Sequence, residues 1–214
     1  MKKIPAFPIP KECLVERFEM LGNSKKWMAL DASLNGLASA LWCDVSEDYM
    51  YFYEYYTTTC KDIQDMLLHI ELVEQSHEHG KVTRRVTDQY IVNTINLSSL
   101  QLIMSGGHYI SEPLFLTGFF MESEDVQKVY QKVRNGKIKI HENLHELRKQ
   151  LQEFGKRVDL PPLPTIVGGQ EGVVQSTKKN SDYFSIEYRP NEVSHYPLVQ
   201  CFVWLVLEKM YRKP

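Results

Sequence analysis

The chain has 214 residues, 43% hydrophobic and 24% charged, an ordinary globular composition that excludes collagen-like, disordered and coiled-coil classes. That length suits one domain with a substantial core and is too short for a catalytic domain joined to a full ATP-driven motor. The balance of 25 basic against 27 acidic side chains, net −2, excludes the global positive field of a histone-like binder, so any nucleic-acid contact has to be local.

The first residues, MKKIPAFPIPKE, carry Pro5, Pro8 and Pro10. These fix φ and remove donors, so residues 1–24 are predicted to form an extended arm or linker. Trp27-Met28-Ala29-Leu30-Asp31 is a short apolar run ending in an acid, and Ser33-Leu34-Asn35-Gly36 is a turn-forming set, which together predict a buried strand and a tight turn. Leu37–Val45 and Tyr49–Tyr56, separated by Ser46-Glu47-Asp48, extend this to three sequential antiparallel strands. Residues 61–79 place Ile63, Met66, Leu67 and Ile70 three and four apart and predict an amphipathic helix stopped at Gly80. Val82–Thr87 is a short β-compatible run ending at Asp88, followed by a helical pattern over Ile95–Met104 that closes at Gly106-Gly107. A strand near Pro113–Phe120, a helix over Ser123–Arg134 stopped by Asn135-Gly136, a strand over Lys137–Ile140 and a helix over Glu142–Phe154 follow. Asp159–Asn180 is dense in Pro and Gly and is expected to be a long loop or loose hairpin. Ser181–Tyr188 suits one more strand, and Tyr196–Tyr211 is apolar almost all round, as a final helix buried against a sheet is. The predicted fold class is α/β, a mixed sheet flanked by helices.

Cys13, Cys43, Cys60 and Cys201 are widely spread, show no CxxC pairing and have no secretory apolar region before them, which suits a reducing cytoplasm. The longest apolar run, Pro197–Leu207 with Gln200 inside it, falls short of the roughly 20 residues a bilayer span needs, so no membrane contact is expected.

An acid ending the first central strand and an acid ending a later one point to two carboxylates side by side where parallel strands finish. Asp31 and Asp88 are those acids. Such an oxygen-rich pair suits Mg2+ or Mn2+ and, as a two-metal site, hydrolysis of a phosphodiester. Each Asp also reads as a turn former or helix cap.

WMALDASLNGLASALWCDV resembles the first strand and turn of the C-terminal nuclease domain of viral terminase large subunits, which has an RNase H-like fold. RRVTDQYIVNTINLSSL resembles that family's second acidic segment, and EDVQKVYQKVRNGKIKIHENLHELRKQLQEF resembles the helix, short strand and helix after it. The resemblance spans roughly residues 26–211 and makes 25–214 the RNase H-like nuclease domain. It implies a metal-dependent endonuclease that cuts concatemeric viral DNA during packaging, in the cytoplasm of a phage-infected host cell. The implied partners are double-stranded DNA and a terminase ATPase motor, portal or small subunit. Asp31 and Asp88 are the implied metal ligands, and His195 matches the family's segment at the start of the last helix. That segment ends in an acid where Ser194-His195-Tyr196-Pro197-Leu198-Val199 has Leu198. A leucine cannot coordinate a hard cation, so Glu192, Asp182 or Glu187 has to replace it, or nuclease activity is reduced and the domain keeps a docking or DNA-positioning role. No G-x-x-x-x-G-K-[ST] occurs, so no ATP hydrolysis by that route is expected, and the Pro-rich arm would suit a junction with a motor.

The basic pairs Lys25-Lys26, Arg84-Arg85, Arg148-Lys149, Lys156-Arg157 and Lys178-Lys179 are candidate phosphate contacts or plain solvated surface. Arg148, Lys149, Lys178 and Lys179 are the ones assigned to DNA. Tyr49, Tyr51, Tyr53 and Tyr55 alternate along one strand, with Phe52 and Tyr56 on the other parity, as a base-stacking platform or an aromatic ladder covering the sheet. His69, His77 and His79 cluster near one helix end, and His141-Glu142-Asn143-Leu144-His145 satisfies HExxH. A zinc-protease site would need a third ligand and more helix before His141 than Ile138-Lys139-Ile140 allows.

Overall fold

The computed structural model describes residues 8–19, 23–32, 37–59, 70, 72, 74, 82–87, 92, 115–117, 123–154 and 196–212. Among the described residues seven strands form one sheet: β1 (Leu14–Val15), β2 (Lys25–Ala32), β3 (Leu37–Val45), β4 (Met50–Thr59), β5 (Val82–Thr87), β6 (Phe115–Thr117) and β7 (Ile138–His141), in the order β1-β7-β4-β3-β2-β5-β6. β2, β3 and β4 pair antiparallel as the predicted meander. β5 joins β2 and β6 joins β5, both parallel, while β7 joins β4 and β1 joins β7, also parallel. The helices whose bounds fall among the described residues are α1 (Ser123–Arg134), α2 (His145–Glu153) and α3 (Pro197–Tyr211).

The two faces of β2 explain why its sequence is a continuous apolar run. Trp27 and Ala29 enter a core with Leu41, Phe52 and Val86 of the sheet, Val129 and Val133 of α1, Leu147 and Leu151 of α2, and the apolar side chains of α3. Met28 and Leu30 enter a second core on the opposite face with Ala40, Trp42, Ile70 and Val92. A strand covered on both sides has no solvent face to alternate toward. α3 is likewise buried from Pro197 to Glu208, which accounts for its lack of a polar stripe.

Helix ends follow local chemistry. After α1 the Asn135 N–H donates to Gln131 O at 2.9 Å and the Gly136 N–H to Val133 O at 3.0 Å. Gly136 has φ 69°, the left-handed conformation that glycine adopts without a Cβ penalty.

Three expectations change. Within residues 1–24, expected as an arm, Lys11–Cys13 form a 3-10 turn and β1 pairs with β7, with Cys13 buried. Cys13 Sγ donates to Val133 O at 3.4 Å, so this segment belongs to the domain. The helix expected from Glu142 starts at His145, because Leu144 N–H donates to His141 O at 3.0 Å in a turn. His141 therefore ends β7 and His145 begins α2, which removes the HExxH reading. The tyrosine alternation breaks at a bulge: Cys43 pairs with Phe52 and Trp42 with Glu54, leaving Tyr53 as the extra residue. Tyr55 consequently packs on the helix-covered core, while Tyr53 and Tyr56 pack on the other. The stretch Tyr49–Tyr56 thus presents no single tyrosine face. The helix expected over 61–79 is described at Ile70, Leu72 and Glu74, all helical. The expectations for 95–104, 159–180 and 181–188 lie outside the described residues.

Candidate functional site

Asp31 stands one residue before the end of β2, half-buried. The hairpin register sets it opposite Ser39 on β3, and Ser39 opposite Thr57 on β4. Directly opposed residues of antiparallel strands share a face, so the three side chains form a polar row above the apolar rows of Ala29, Leu41 and Trp27, Cys43. The Ser39 and Thr57 hydroxyls are hydrogen-bonded at 3.0 Å. The row runs from wholly buried Ser39 to exposed Thr57.

β5 finishes beside it. Its parallel pairing matches Met28 with Arg85 and Ala29 with Val86, and the Thr87 hydroxyl donates to Leu30 O at 2.6 Å. The C-terminal ends of β2 and β5 therefore meet at one sheet edge, where ligands and catalytic groups of open α/β sheets collect. Asp88, the next residue in sequence, lies outside the described residues, as do His195, Glu192, Asp182, Glu187, Lys178, Lys179, Lys156 and Arg157.

α3 crosses the helix-covered face over β2 and β3. Cys201 Sγ donates to Ser39 O at 3.4 Å, and burial, reinforced by the charge of Asp31, pushes its thiol well above the ordinary range. Cys201 of α3 thus lies within electrostatic reach of Asp31. Leu198, one turn earlier, is buried in the apolar core, and α3 carries no acid from Pro197 to Leu207. Its Glu208 sits at the other end, 3.3 Å from Arg84 and 3.5 Å from Arg212. Burial raises the Glu208 carboxyl pKa, and the two guanidinium groups oppose the rise.

Of the basic candidates, Arg84 is bonded to Glu208 and lies 4.6 Å over the Trp27 ring. Arg85 is buried and paired with Glu74. Neighbouring strand residues point to opposite faces, and the bulge between Lys26 and Trp27 in the β2–β5 pairing sets Arg84 on the helix-covered face with Trp27 and Arg85 on the other, so both are structural. Lys26 is buried, whereas Lys25 is exposed. Arg148 donates to Glu142 O at 3.0 Å, and exposed Lys149 is 3.8 Å from Glu146.

Two structural features were missed by sequence reasoning. The Ser39–Thr57 hydroxyl pair is visible only once the hairpin register is known. Gln150 of α2, buried, accepts the Leu198 N–H at 3.0 Å, capping α3 from a distant element; no sequence signal marks it. Among the described residues no group of three or more His, Cys, Asp or Glu converges on one point, and no helix is long and apolar enough to cross a membrane.

No protein-family model matches the chain, and no curated protein sequence does. Solved structures do. The large terminase from a thermophilic bacteriophage superimposes with a TM-score of 0.54 at 11% identity, over 70% of this chain and 37% of that one. A second crystal form of it gives 0.51 at 12% identity, over 69% of this chain and 35% of that one. The P22 large terminase nuclease domain gives 0.50 at 11% identity, over 73% of this chain and 84% of that domain. The chain thus spans about a third of the phage large terminase, 37%, and most of the P22 nuclease domain. It has the terminase nuclease fold, the RNase H-like mixed sheet expected from its sequence.

Proposed function

We propose that this chain is a divalent-metal-dependent DNA endonuclease domain of the terminase type, cutting concatemeric viral DNA during genome packaging. The observation that carries the reading is the position of Asp31: a half-buried carboxylate at the end of β2, beside the end of parallel β5, in a terminase nuclease fold. Asp88 supplies the second ligand. It follows Thr87 directly and is two residues from Val86, the β5 side chain in the helix-covered core with Ala29.

The donors present suit a hard cation: a carboxylate and two hydroxyls, with the Cys201 thiol engaged by Ser39 O. Bound Mg2+ or Mn2+, as a pair, would supply a water of lowered pKa and neutralise charge on the phosphodiester. Asp31 and Asp88 hold the cations, Glu192 or Asp182 completes the set, and His195 stands by for proton transfer. Arg148, Lys149, Lys178 and Lys179 neutralise neighbouring phosphates of double-stranded DNA. The partners are an ATPase motor and, through it, the portal or small subunit, in the cytoplasm of a phage-infected host.

A second reading is favoured by the acid-free first turns of α3. With Leu198 in the apolar core and Cys201 beside Asp31, the domain would be catalytically impaired and serve to dock or position DNA. Supercoiled plasmid incubated with the protein in Mg2+ and in Mn2+ decides between them. Nicking or linearisation that disappears in Asp31→Ala and under chelation is the expected result. No cleavage in either metal by a folded protein would refute the nuclease reading and favour the docking role.

A further inference from the structure

We infer that the cleft between the β3–β4 turn and the C-terminal ends of α1 and α3 is a binding site for a phosphate-bearing ligand, held by Lys132, Lys137 and Lys209. It is separate from the Asp31 site. Lys209 lies eight residues beyond Cys201 on α3, about 12 Å along the helix axis, and the β3–β4 turn is at the opposite end of the sheet from Asp31.

The cleft has a volume of about 400 Å³, within the range of roughly 300–1,000 Å³ typical of small-molecule sites. Its lysines come from three elements, α1, β7's leading residue and α3, and its floor is apolar, with Met50, Ile138 and Val206. The walls are set by backbone: Met50 N–H donates to Lys137 O and Ser46 N–H to Tyr49 O, each at 3.0 Å.

The charges in the cleft are incompletely matched. Lys137 is 3.3 Å from exposed Asp48 and 5.1 Å from the centre of the Tyr49 ring. Lys209, half-buried, donates to Tyr49 O at 3.0 Å, a neutral acceptor. Among the described residues neither Lys132 nor Lys209 has a carboxylate within ion-pair distance, and Glu47 and Asp48 at the mouth are the cleft's acids. A phosphate group offers several anionic acceptors to three converging ammonium groups, while the apolar floor receives the uncharged body of a ligand. Burial brings the Lys209 ammonium down to about 8, with Lys132 and Lys137 adding to the fall and Cys43 and Asp48 opposing it. An anion favours the charged form, so binding is strongest below pH 8 and weakens as pH rises through it.

The test titrates the full chain with inorganic pyrophosphate by calorimetry at pH 7 and constant ionic strength, beside Lys209→Met, Lys132→Met and, as the control, Lys11→Met at a lysine outside the cleft lining. Expected is saturable binding, weakened at least tenfold in Lys209→Met and Lys132→Met, unchanged in Lys11→Met, and weaker at pH 9 than at pH 7. A short DNA duplex is the second probe. Competition with pyrophosphate, lost in Lys209→Met, would assign the phosphate to a nucleic-acid backbone; no competition would assign it to a small phosphorylated molecule. Absence of saturable pyrophosphate binding, or equal binding by wild type and both cleft variants, would overturn the site. The outcome is independent of plasmid cleavage.

Discussion

Replacing Gln150 with leucine tests whether the N-terminus of α3 is held by α2. Tyr196, the N-cap residue, provides no side-chain cap, and Pro197 at N1 has no N–H to satisfy. The Leu198 N–H therefore depends on Gln150 Oε1, at 3.0 Å in a buried setting, while Gln150 Nε2 donates to Glu146 Oε1 at 3.2 Å. Leucine keeps the volume and removes the acceptor, leaving one buried donor unsatisfied. That costs about 2 kcal/mol, the middle of the usual range of roughly 1–3. With a urea slope of about 3 kcal/mol/M, suited to a domain of this size, the midpoint should fall by about 0.7 M. The assay is equilibrium urea unfolding followed by tryptophan fluorescence, repeated with Glu146→Ala to separate loss of the Glu146 bond from loss of the cap. A Gln150→Leu change below about 0.5 kcal/mol, within the range of ordinary surface substitutions, would refute the claim that α2 caps α3. The consequence reaches the candidate site, because α3 lays Cys201 beside Asp31.

Lys26 is buried and among the described residues its Nζ has no hydrogen-bond partner; burial depresses its pKa against the pull of Asp44, Glu74 and Glu54. In the pH range between its folded value and 10.5 the unfolded chain holds the extra proton, so the wild type gains stability as pH rises. Lys26→Met should therefore be more stable than wild type at pH 7 by about 1–2 kcal/mol, with the advantage shrinking toward pH 10; thermal melts across that range check it, and a less stable variant at pH 7 would contradict it. Arg84→Leu leaves Glu208, wholly buried, paired with Arg212 among the described residues, and should cost about 3 kcal/mol in urea unfolding; a loss under about 1 kcal/mol would show that the pair is dispensable. Cys201→Asp places a second carboxylate beside Asp31. It should melt lower than wild type without metal and recover with millimolar Mn2+, by up to about 2.7 kcal/mol at a hundredfold excess over Kd, whereas Leu198→Asp should lose stability that Mn2+ does not restore. Manganese rescue of Leu198→Asp alone would reverse that assignment.

The sequence by itself determined the elements whose signals are local. The apolar run ending at Asp31, the two strands after it, the Asn135-Gly136 stop of α1 and the apolar helix from Tyr196 were all legible, because propensity, turn chemistry and burial pattern act over a few residues. Order then made a mixed sheet the simple solution, and the position of Asp31 at a strand end followed. What tertiary structure decided depends on pairing between distant segments. A bulge at Tyr53 moves Tyr55 to the opposite face from Tyr51, and a bulge in the β2–β5 pairing sets Arg84 on the face of Glu208 and Arg85 on that of Glu74. One inserted residue reverses the alternation that any period-two reading assumes. The absorption of Lys11–Val15 into the sheet, the Gln150 cap on α3 and the Asp31, Ser39, Thr57 row likewise exist only once register is set. Their energies come from contacts between residues far apart in the chain, and a local pattern carries no record of which distant partner completes it.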